Sequence, residues 1–204
     1  MKNKIIAVIG AGGKTTLIHR LAEEYRRKGA SVLVSTTTHM LVEPDTDLSC
    51  DSFAIMEKIK KTGYCMAGAV CPENSAKMQS LPEQMLHDLM KQVDYALIEA
   101  DGAKHYALKY PSEQEPVIPE GTTDVILVLG SWDLGKPCKD VVFRFEHMTS
   151  ALGISGDMKA DKQMIQWIWQ AYEEKLKNMD YQGHFHVLQS EKTDQGLMFH
   201  TLEE

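Results

Sequence analysis

Short apolar runs alternate with amphipathic stretches along most of this chain, and that alternation predicts parallel strands joined by helices. Residues 5–9 are apolar and rich in β-branched side chains, as in a strand buried on both faces of a sheet. Residues 15–28 then carry apolar side chains at helical spacing. Further apolar strands are predicted at 31–35, 95–98 and 125–130, and a last strand at 183–188. Further helices are predicted from residue 81 and over 158–177. The pattern predicts an α/β fold with a mainly parallel sheet.

A glycine-rich turn links the first strand to the first helix, and it reads Gly10-Ala11-Gly12-Gly13-Lys14-Thr15-Thr16. Glycines let backbone N–H groups close around phosphate oxygens, and the helix N-terminus adds positive potential. Lys14 would then reach the outer phosphates of a nucleotide, and the Thr15 hydroxyl would bind Mg²⁺. The turn therefore predicts a P-loop in a three-layer, P-loop NTPase-like domain. The alternative is a turn that only joins strand to helix, with Lys14 in solvent.

The loop is shorter than the common G-x-x-x-x-G-K-[ST] form, because Val8 stands where that form has its first glycine. The remaining G-x-x-G-K-T-T pattern resembles the variant loop of the Mur ligases. That resemblance favours a ligase or kinase that activates a small acid.

Polar residues follow directly after the second predicted strand, in the order Thr36-Thr37-Thr38-His39. Open α/β sheets bind ligands at the carboxyl ends of their strands, so these hydroxyls could touch the γ-phosphate, its metal ion or a second substrate. A strand extension followed by a turn would explain the same residues without a ligand.

Two carboxylates close the strand predicted at 95–98, within the stretch Glu99-Ala100-Asp101-Gly102-Ala103-Lys104. Side chains alternate along a strand, so Glu99 and Asp101 should share a face. In P-loop enzymes an acid at this place holds Mg²⁺ or polarises the attacking water. A surface turn with acidic caps is the alternative interpretation.

The net charge and the distribution of apolar residues argue against several classes of protein. The chain has 204 residues, a net charge of −7 and a pI near 5.6, which argues against nucleic acid as a partner. The first residues lack the pattern of a signal peptide, and no run approaches the roughly 20 apolar residues of a membrane span. A cytoplasmic location without a membrane partner is expected.

The length predicts a single nucleotide-binding domain over 1–204, with a small inserted β-rich element at about 43–80. No C-x-x-C pair occurs among the four cysteines, so neither a zinc site nor a disulfide framework is indicated. Cys65 is expected in the core, whereas Cys71 and Cys138 each adjoin a proline in loop-like sequence and could be exposed.

Five ordered motifs give a more specific signal than the P-loop alone. Besides the three already described, they include Leu108-Lys109-Tyr110-Pro111 and Glu115-Pro116-Val117-Ile118-Pro119. Over roughly residues 3–147 the chain resembles the YqeC family, which is associated with selenium-dependent molybdenum hydroxylases or with selenium cofactor biosynthesis. The resemblance implies a nucleotide-binding α/β fold and a maturation role. It adds Lys109, Glu115 and Pro116 as second-substrate or loop-ordering residues, and Asp133 and Arg144 as polar residues near the site.

The sequence thus predicts a Mg²⁺-dependent protein that binds ATP or another NTP. The expected catalytic residues are Lys14, Glu99 and Asp101; the phosphate-binding residues Gly10, Gly12, Gly13, Lys14, Thr15 and Thr16; the metal ligands Thr15, Glu99 and Asp101; and the second-substrate residues Thr37, Thr38, His39, Lys104 and Lys109. The second ligand is expected to be an anionic small molecule or a selenium or molybdenum cofactor species, and the resemblance implies a client molybdenum hydroxylase as a further partner to test. The alternatives to an NTPase are a ligase or kinase and a nucleotide-gated carrier with little turnover.

Overall fold

A computed structural model describes residues 3–202, and its central feature is a seven-stranded, mainly parallel β-sheet flanked by helices. This confirms the predicted α/β class and is consistent with a three-layer P-loop-like fold. The strands are β1 (Lys4–Gly10), β2 (Val32–Thr36), β3 (His39–Leu41), β4 (Tyr64–Met66), β5 (Ala69–Val70), β6 (Lys77–Gln79), β7 (Tyr95–Glu99), β8 (Leu108–Lys109), β9 (Asp124–Gly130), β10 (Val142–Phe143), β11 (His184–Thr193) and β12 (Gly196–Thr201). The order in the main sheet is β12-β11-β9-β1-β7-β2-β4.

The helices are α1 (Lys14–Arg27), α2 (Ser52–Thr62), α3 (Glu83–Lys91), α4 (Cys138–Val141), α5 (Phe145–Leu152) and α6 (Lys162–Asn178). Capping residues fix both ends of helix α2. The Asp51 carboxylate caps α2 by accepting hydrogen bonds from the N–H groups of Phe53 and Ala54, and Gly63 ends that helix in the left-handed conformation.

Strands β1, β7 and β2 pair in parallel, with Val8 opposite Glu99 and Thr36 opposite Glu99. The side chains of β2 are all buried, as the continuous apolar runs predict for strands covered on both faces. This register places the ends of β2 and β7 side by side, so the polar residues that follow the two strands are neighbours.

The described chain divides into two compact units. The first contains the described residues up to Val8, together with Thr15–Gly102 and Val117–Val125; the second contains Ile9–Lys14, Ala103–Pro116 and the described residues from Ile126 onward. Residues 1–2 and 203–204 of the predicted single domain lie outside the described part of the chain, and that domain assignment stays a prediction.

The core of the first unit lies between the sheet and helices α2 and α3. Ile55, Leu86 and Leu89 from the helices pack in one buried cluster with Leu33 and Ile98 from β2 and β7. Each such side chain contributes roughly 1.5–3 kcal/mol of burial free energy. This packing holds the carboxyl ends of β2 and β7 in fixed positions.

The stretch 43–80 differs in part from the sequence expectation. Strands β6 and β5 pair with β3 in a small antiparallel sheet, but residues 52–62 within the predicted β-rich element form helix α2. The Asp51 cap and the buried pair Ile55 and Ile59, four residues apart, explain the helix.

In the second unit, the strand expected at 183–188 continues to Thr193 and forms an antiparallel hairpin with β12. Helix α6 buries five side chains on one face, namely those of Met164, Ile165, Ile168, Tyr172 and Leu176. Within residues 3–202, none of the helices combines the length and apolar character that crossing a bilayer requires.

Candidate phosphate and metal site

The glycine loop that follows β1 lies against the backbone of the second unit. The Ala11 N–H donates to the Val128 carbonyl over 2.9 Å. Gly12 has a φ of +88°, and a Cβ at this position would come within 2.5 Å of the Gly130 nitrogen and 2.7 Å of the Ala107 oxygen. A side chain at residue 12 would therefore displace the loop.

A serine on β11 also holds the loop. The Ser190 hydroxyl is fully buried and donates to the Gly12 carbonyl. Sequence reasoning missed Ser190, because it ended this strand at residue 188. The local sequence carries no signal for this contact, because the burial of Ser190 follows from the fold.

Lys14 begins helix α1, as a P-loop lysine should, but its side chain folds back over the loop. Its Nζ donates to the Gly10 carbonyl over 2.8 Å, and the residue is only 5% exposed. Gly10 and Gly13 both have positive φ, and Thr16 is half-buried in the first turn of α1. The first N–H groups of α1 have no partner within the helix, which makes this terminus suited to phosphate oxygens.

Thr15, the next residue, contacts one of the two predicted carboxylates. Its hydroxyl donates to an oxygen of Glu99 over 3.0 Å, and Glu99 is 7% exposed at the end of β7. A threonine hydroxyl and a carboxylate are hard oxygen ligands of the kind that Mg²⁺ prefers. These two residues fit a Mg²⁺ ion, and Asp101, fully buried two residues further on, adds a second carboxylate within the first unit.

The threonine cluster after β2 is tied to the same strand ends. The Thr36 hydroxyl and the Thr37 N–H both donate to the Glu99 carbonyl, over 2.8 and 3.1 Å. The Thr38 N–H donates to the Thr36 hydroxyl over 3.0 Å. The structure therefore brings Thr15, Glu99 and the threonine cluster together within the first unit.

Thr37 also lines a cavity of about 490 Å³ in that unit. Its hydroxyl donates to the Val117 carbonyl over 2.7 Å. The other lining residues come from the region before and within α3 and from the segment after Pro116: Ser80, Glu83, Gln84, Leu86, His87, Met90, Val117, Ile118, Pro119 and Glu120. The mixture of apolar walls and a few polar groups is typical of small-molecule sites.

His39, expected beside the threonines as a substrate residue, begins strand β3 on the small sheet and is exposed. Cys71 and Cys138, whose exposure the sequence left open, are both buried, at 3% and 0%. Burial raises the pKa of the Cys138 thiol and raises that of Cys65 to about 11, so these two thiols stay protonated at neutral pH.

The two lysines expected to bind an anion lie in the second unit and differ in environment. Lys109 is fully buried and pairs with Glu115 over 2.5 Å, and Arg144 contacts the same carboxylate over 2.9 Å. Lys104 is exposed, with its Nζ 5.3 Å from the centre of the Phe143 ring. The charge of Lys109 is compensated by Glu115, which favours the loop-ordering role over direct contact with an anion.

Two comparisons with known proteins point to the same family. The family model described as YqeC protein matches residues 6–146. The chain is 34% identical over 161 residues to "Uncharacterized protein YqeC" of Escherichia coli (strain K12), an alignment that covers 75% of this chain and 62% of that relative. The chain therefore spans less than two thirds of the relative's length. No solved structure matches. From the match over most of its length, the chain belongs to the YqeC family.

Proposed function

We propose that the chain is a Mg²⁺-dependent NTP-binding protein that hydrolyses or transfers the terminal phosphoryl group. The glycine loop at residues 10–14 and the first turn of α1 would hold the phosphates. Thr15 and Glu99, with Asp101, would hold Mg²⁺.

The observation that carries this proposal is the hydrogen bond between Thr15 and Glu99. The two residues are 84 positions apart, and each was expected to be a metal ligand for a separate reason. A coincidental surface turn would not place the Glu99 carboxylate on the hydroxyl of the residue after the loop lysine. Their convergence supports a shared metal site over the two structural alternatives.

In this proposal, different residues of the site have different roles. Loop N–H groups and the Lys14 ammonium would bind phosphate oxygens once Lys14 leaves the Gly10 carbonyl. The buried carboxylates of Glu99 and Asp101 would orient the attacking hydroxyl or water. A bound Mg²⁺ would supply charge neutralisation for the phosphates.

The maturation of selenium-dependent molybdenum hydroxylases is the cellular role that fits the resemblance best. Family membership supports it, and the matched relative carries no described activity. A selenium or molybdenum cofactor species, a client hydroxylase and a cytoplasmic location belong to this proposal.

Calorimetry with Mg²⁺-ATP and the other Mg²⁺-nucleotides tests the binding step. Wild type is expected to bind at least one of them, and Lys14→Ala is expected to lose that binding while its thermal melting shows a folded protein. Lys28→Ala is the matched control, because Lys28 lies just past the other end of α1 in an exposed pair with Glu24. Unchanged affinity in folded Lys14→Ala would exclude the P-loop assignment.

The cavity beside Thr37 favours a second candidate, an ATP-dependent ligase or kinase acting on a small molecule. ADP or phosphate release that requires an added small acid would support this candidate. Release without an acceptor would support an NTPase, and tight nucleotide binding without any turnover would support a carrier.

A further inference from the structure

Three side chains with metal-binding chemistry converge at the edge of the small antiparallel sheet. They are the imidazole of His39, the thiol of Cys71 and the carboxylate of Glu73, and one ligand atom from each lies within 4.8 Å of the others. Cys71 is buried, whereas His39 and Glu73 are exposed, so the cluster has a buried base and a side open to solvent.

The backbone fixes the positions from which these side chains extend. His39 and Ala69 pair with the same residue, Gln79, from opposite sides of β6. Cys71 follows two residues after Ala69, directly after β5. The small sheet therefore sets the spacing between the imidazole and the thiol.

A turn sets the position of the third group. The Cys71 carbonyl accepts a hydrogen bond from the Asn74 N–H over 3.3 Å, and the Asn74 carbonyl accepts one from the Lys77 N–H over 2.9 Å. Pro72 restricts the backbone between the two candidate ligands. Glu73 therefore starts from a constrained turn that is joined to β6.

We propose that His39, Cys71 and Glu73 bind a divalent transition-metal ion of the zinc class. Thiolate, imidazole and carboxylate are the three ligand types of protein zinc sites, and thiolate disfavours Mg²⁺ and Ca²⁺. Tetrahedral ligation requires sulfur and nitrogen atoms about 3.5 Å apart, from bond lengths near 2.3 and 2.05 Å. The exposed His39 and Glu73 side chains can close the remaining distance by rotation.

Three protein ligands leave a fourth position for water or a small ligand, which is the composition of a reactive rather than a structural zinc site. On metal binding the Cys71 thiol gives its proton to solvent and the thiolate sulfur donates an electron pair to the metal.

Titration of metal-free, tag-free protein with Co²⁺ and Zn²⁺ tests the site. One Co²⁺ per chain should produce a thiolate-to-cobalt charge-transfer band, and Zn²⁺ should remove the band by competition while Mg²⁺ should not. Cys71→Ser should abolish the band. His39→Ala and Glu73→Gln should each weaken Zn²⁺ binding by about tenfold or more. Mutating a residue that only supports a metal ligand already costs at least about tenfold in affinity, and losing a ligand itself should cost no less.

Two substitutions serve as controls and discriminate other sites. Cys50→Ser removes a half-buried thiol, and His186→Ala removes one of two exposed histidines whose rings lie 6.3 Å apart; both should retain the band and the affinity. If Cys71→Ser fails to fold, the Zn²⁺ affinities of His39→Ala and Glu73→Gln test the site, because both of those residues are exposed. The absence of a thiolate band, or a loss of binding in His186→Ala but not in His39→Ala, would overturn the proposal.

Discussion

The hydroxyl of Thr15 donates to the carboxylate of Glu99 over 3.0 Å, which joins the first turn of α1 to the end of β7. Two residues that the sequence separates by most of the first unit thereby share one polar contact. The contact holds the Thr15 hydroxyl and the Glu99 carboxylate next to each other, and mutation of each residue in turn tests its role.

Glu99→Gln is expected to retain nucleotide binding but to lose turnover by about 10²-fold or more, the scale expected for a positioned acid or base. The amide keeps an oxygen that can accept from Thr15, so the local contact survives while the negative charge is removed. Steady-state phosphate release and calorimetry on the same preparation measure the two effects.

Asp101→Asn separates the roles of the two acids. A comparable loss of turnover would assign both carboxylates to the reacting phosphate or its metal ion, whereas a loss confined to one variant would identify the acid that acts. Wild-type turnover in both variants would make the acidic stretch structural.

Ser190→Ala should destabilise the protein by about 1–3 kcal/mol, because the buried Gly12 carbonyl loses its donor. The same change should weaken nucleotide binding, since the loop is then held at one point fewer. Chemical denaturation and calorimetry provide the two readouts, with the exposed Thr193→Ala on the same strand as the control. An unaltered unfolding free energy would show that Ser190 does not support the loop.

Lys109→Met should cost about 1–3 kcal/mol of unfolding free energy, because the Glu115 carboxylate loses one of its two cationic partners. Arg144 still contacts Glu115, so nucleotide affinity should change little. Lys136→Met breaks an exposed pair with Asp133 and should cost less than about 0.5 kcal/mol. A stable Lys109→Met protein that fails with an acceptor substrate would instead support the substrate role.

The Asp94 side chain predicts a measurable pH dependence of stability. It accepts hydrogen bonds from the N–H and the hydroxyl of Ser31, each over 2.8 Å, and these bonds lower its pKa below the ordinary 3.8. A lowered carboxyl pKa stabilises the fold at pH values above 3.8, and that stabilisation is lost as the pH falls through the folded-state pKa.

Asp94→Asn should therefore destabilise the protein by about 1.5 kcal/mol at pH 7, the lower value for a hydrogen bond to a charged group. The difference from wild type should shrink at a second pH chosen below the lowered folded-state pKa, where the wild-type carboxyl is itself protonated in the folded protein. Urea unfolding at both pH values measures it, and an equal difference at both would contradict the assignment.

The central strands and first helix could be predicted from sequence because burial on both faces leaves continuous apolar runs, and the glycine loop marks the strand-to-helix turn. Glu99 could be found for the same reason: it directly follows such a run. Helix α2 was missed because the short run at 52–56 is apolar without a clear period, and the deciding signals are the Asp51 cap and the spacing of Ile55 and Ile59.

Contacts between distant segments could not be predicted from the sequence. Nothing near Ser190 indicates that it lies against the glycine loop. The family resemblance singles out Lys109, Glu115 and Arg144, but it does not reveal that their charges pair with one another. The cluster of His39, Cys71 and Glu73 depends on the pairing of β3, β6 and β5, which a spacing of 32 positions between the histidine and the cysteine does not reveal.

The hydrogen bond from Ser190 to Gly12 cannot form until long after the ribosome has made the glycine loop. Its partners are 178 residues apart. At roughly 5–20 residues per second the ribosome needs about 10–40 s between making the glycine loop and making the serine that holds it. Throughout that interval a nascent chain carries the glycine loop without this support, so the final geometry of the loop is reached only after Ser190 has been made.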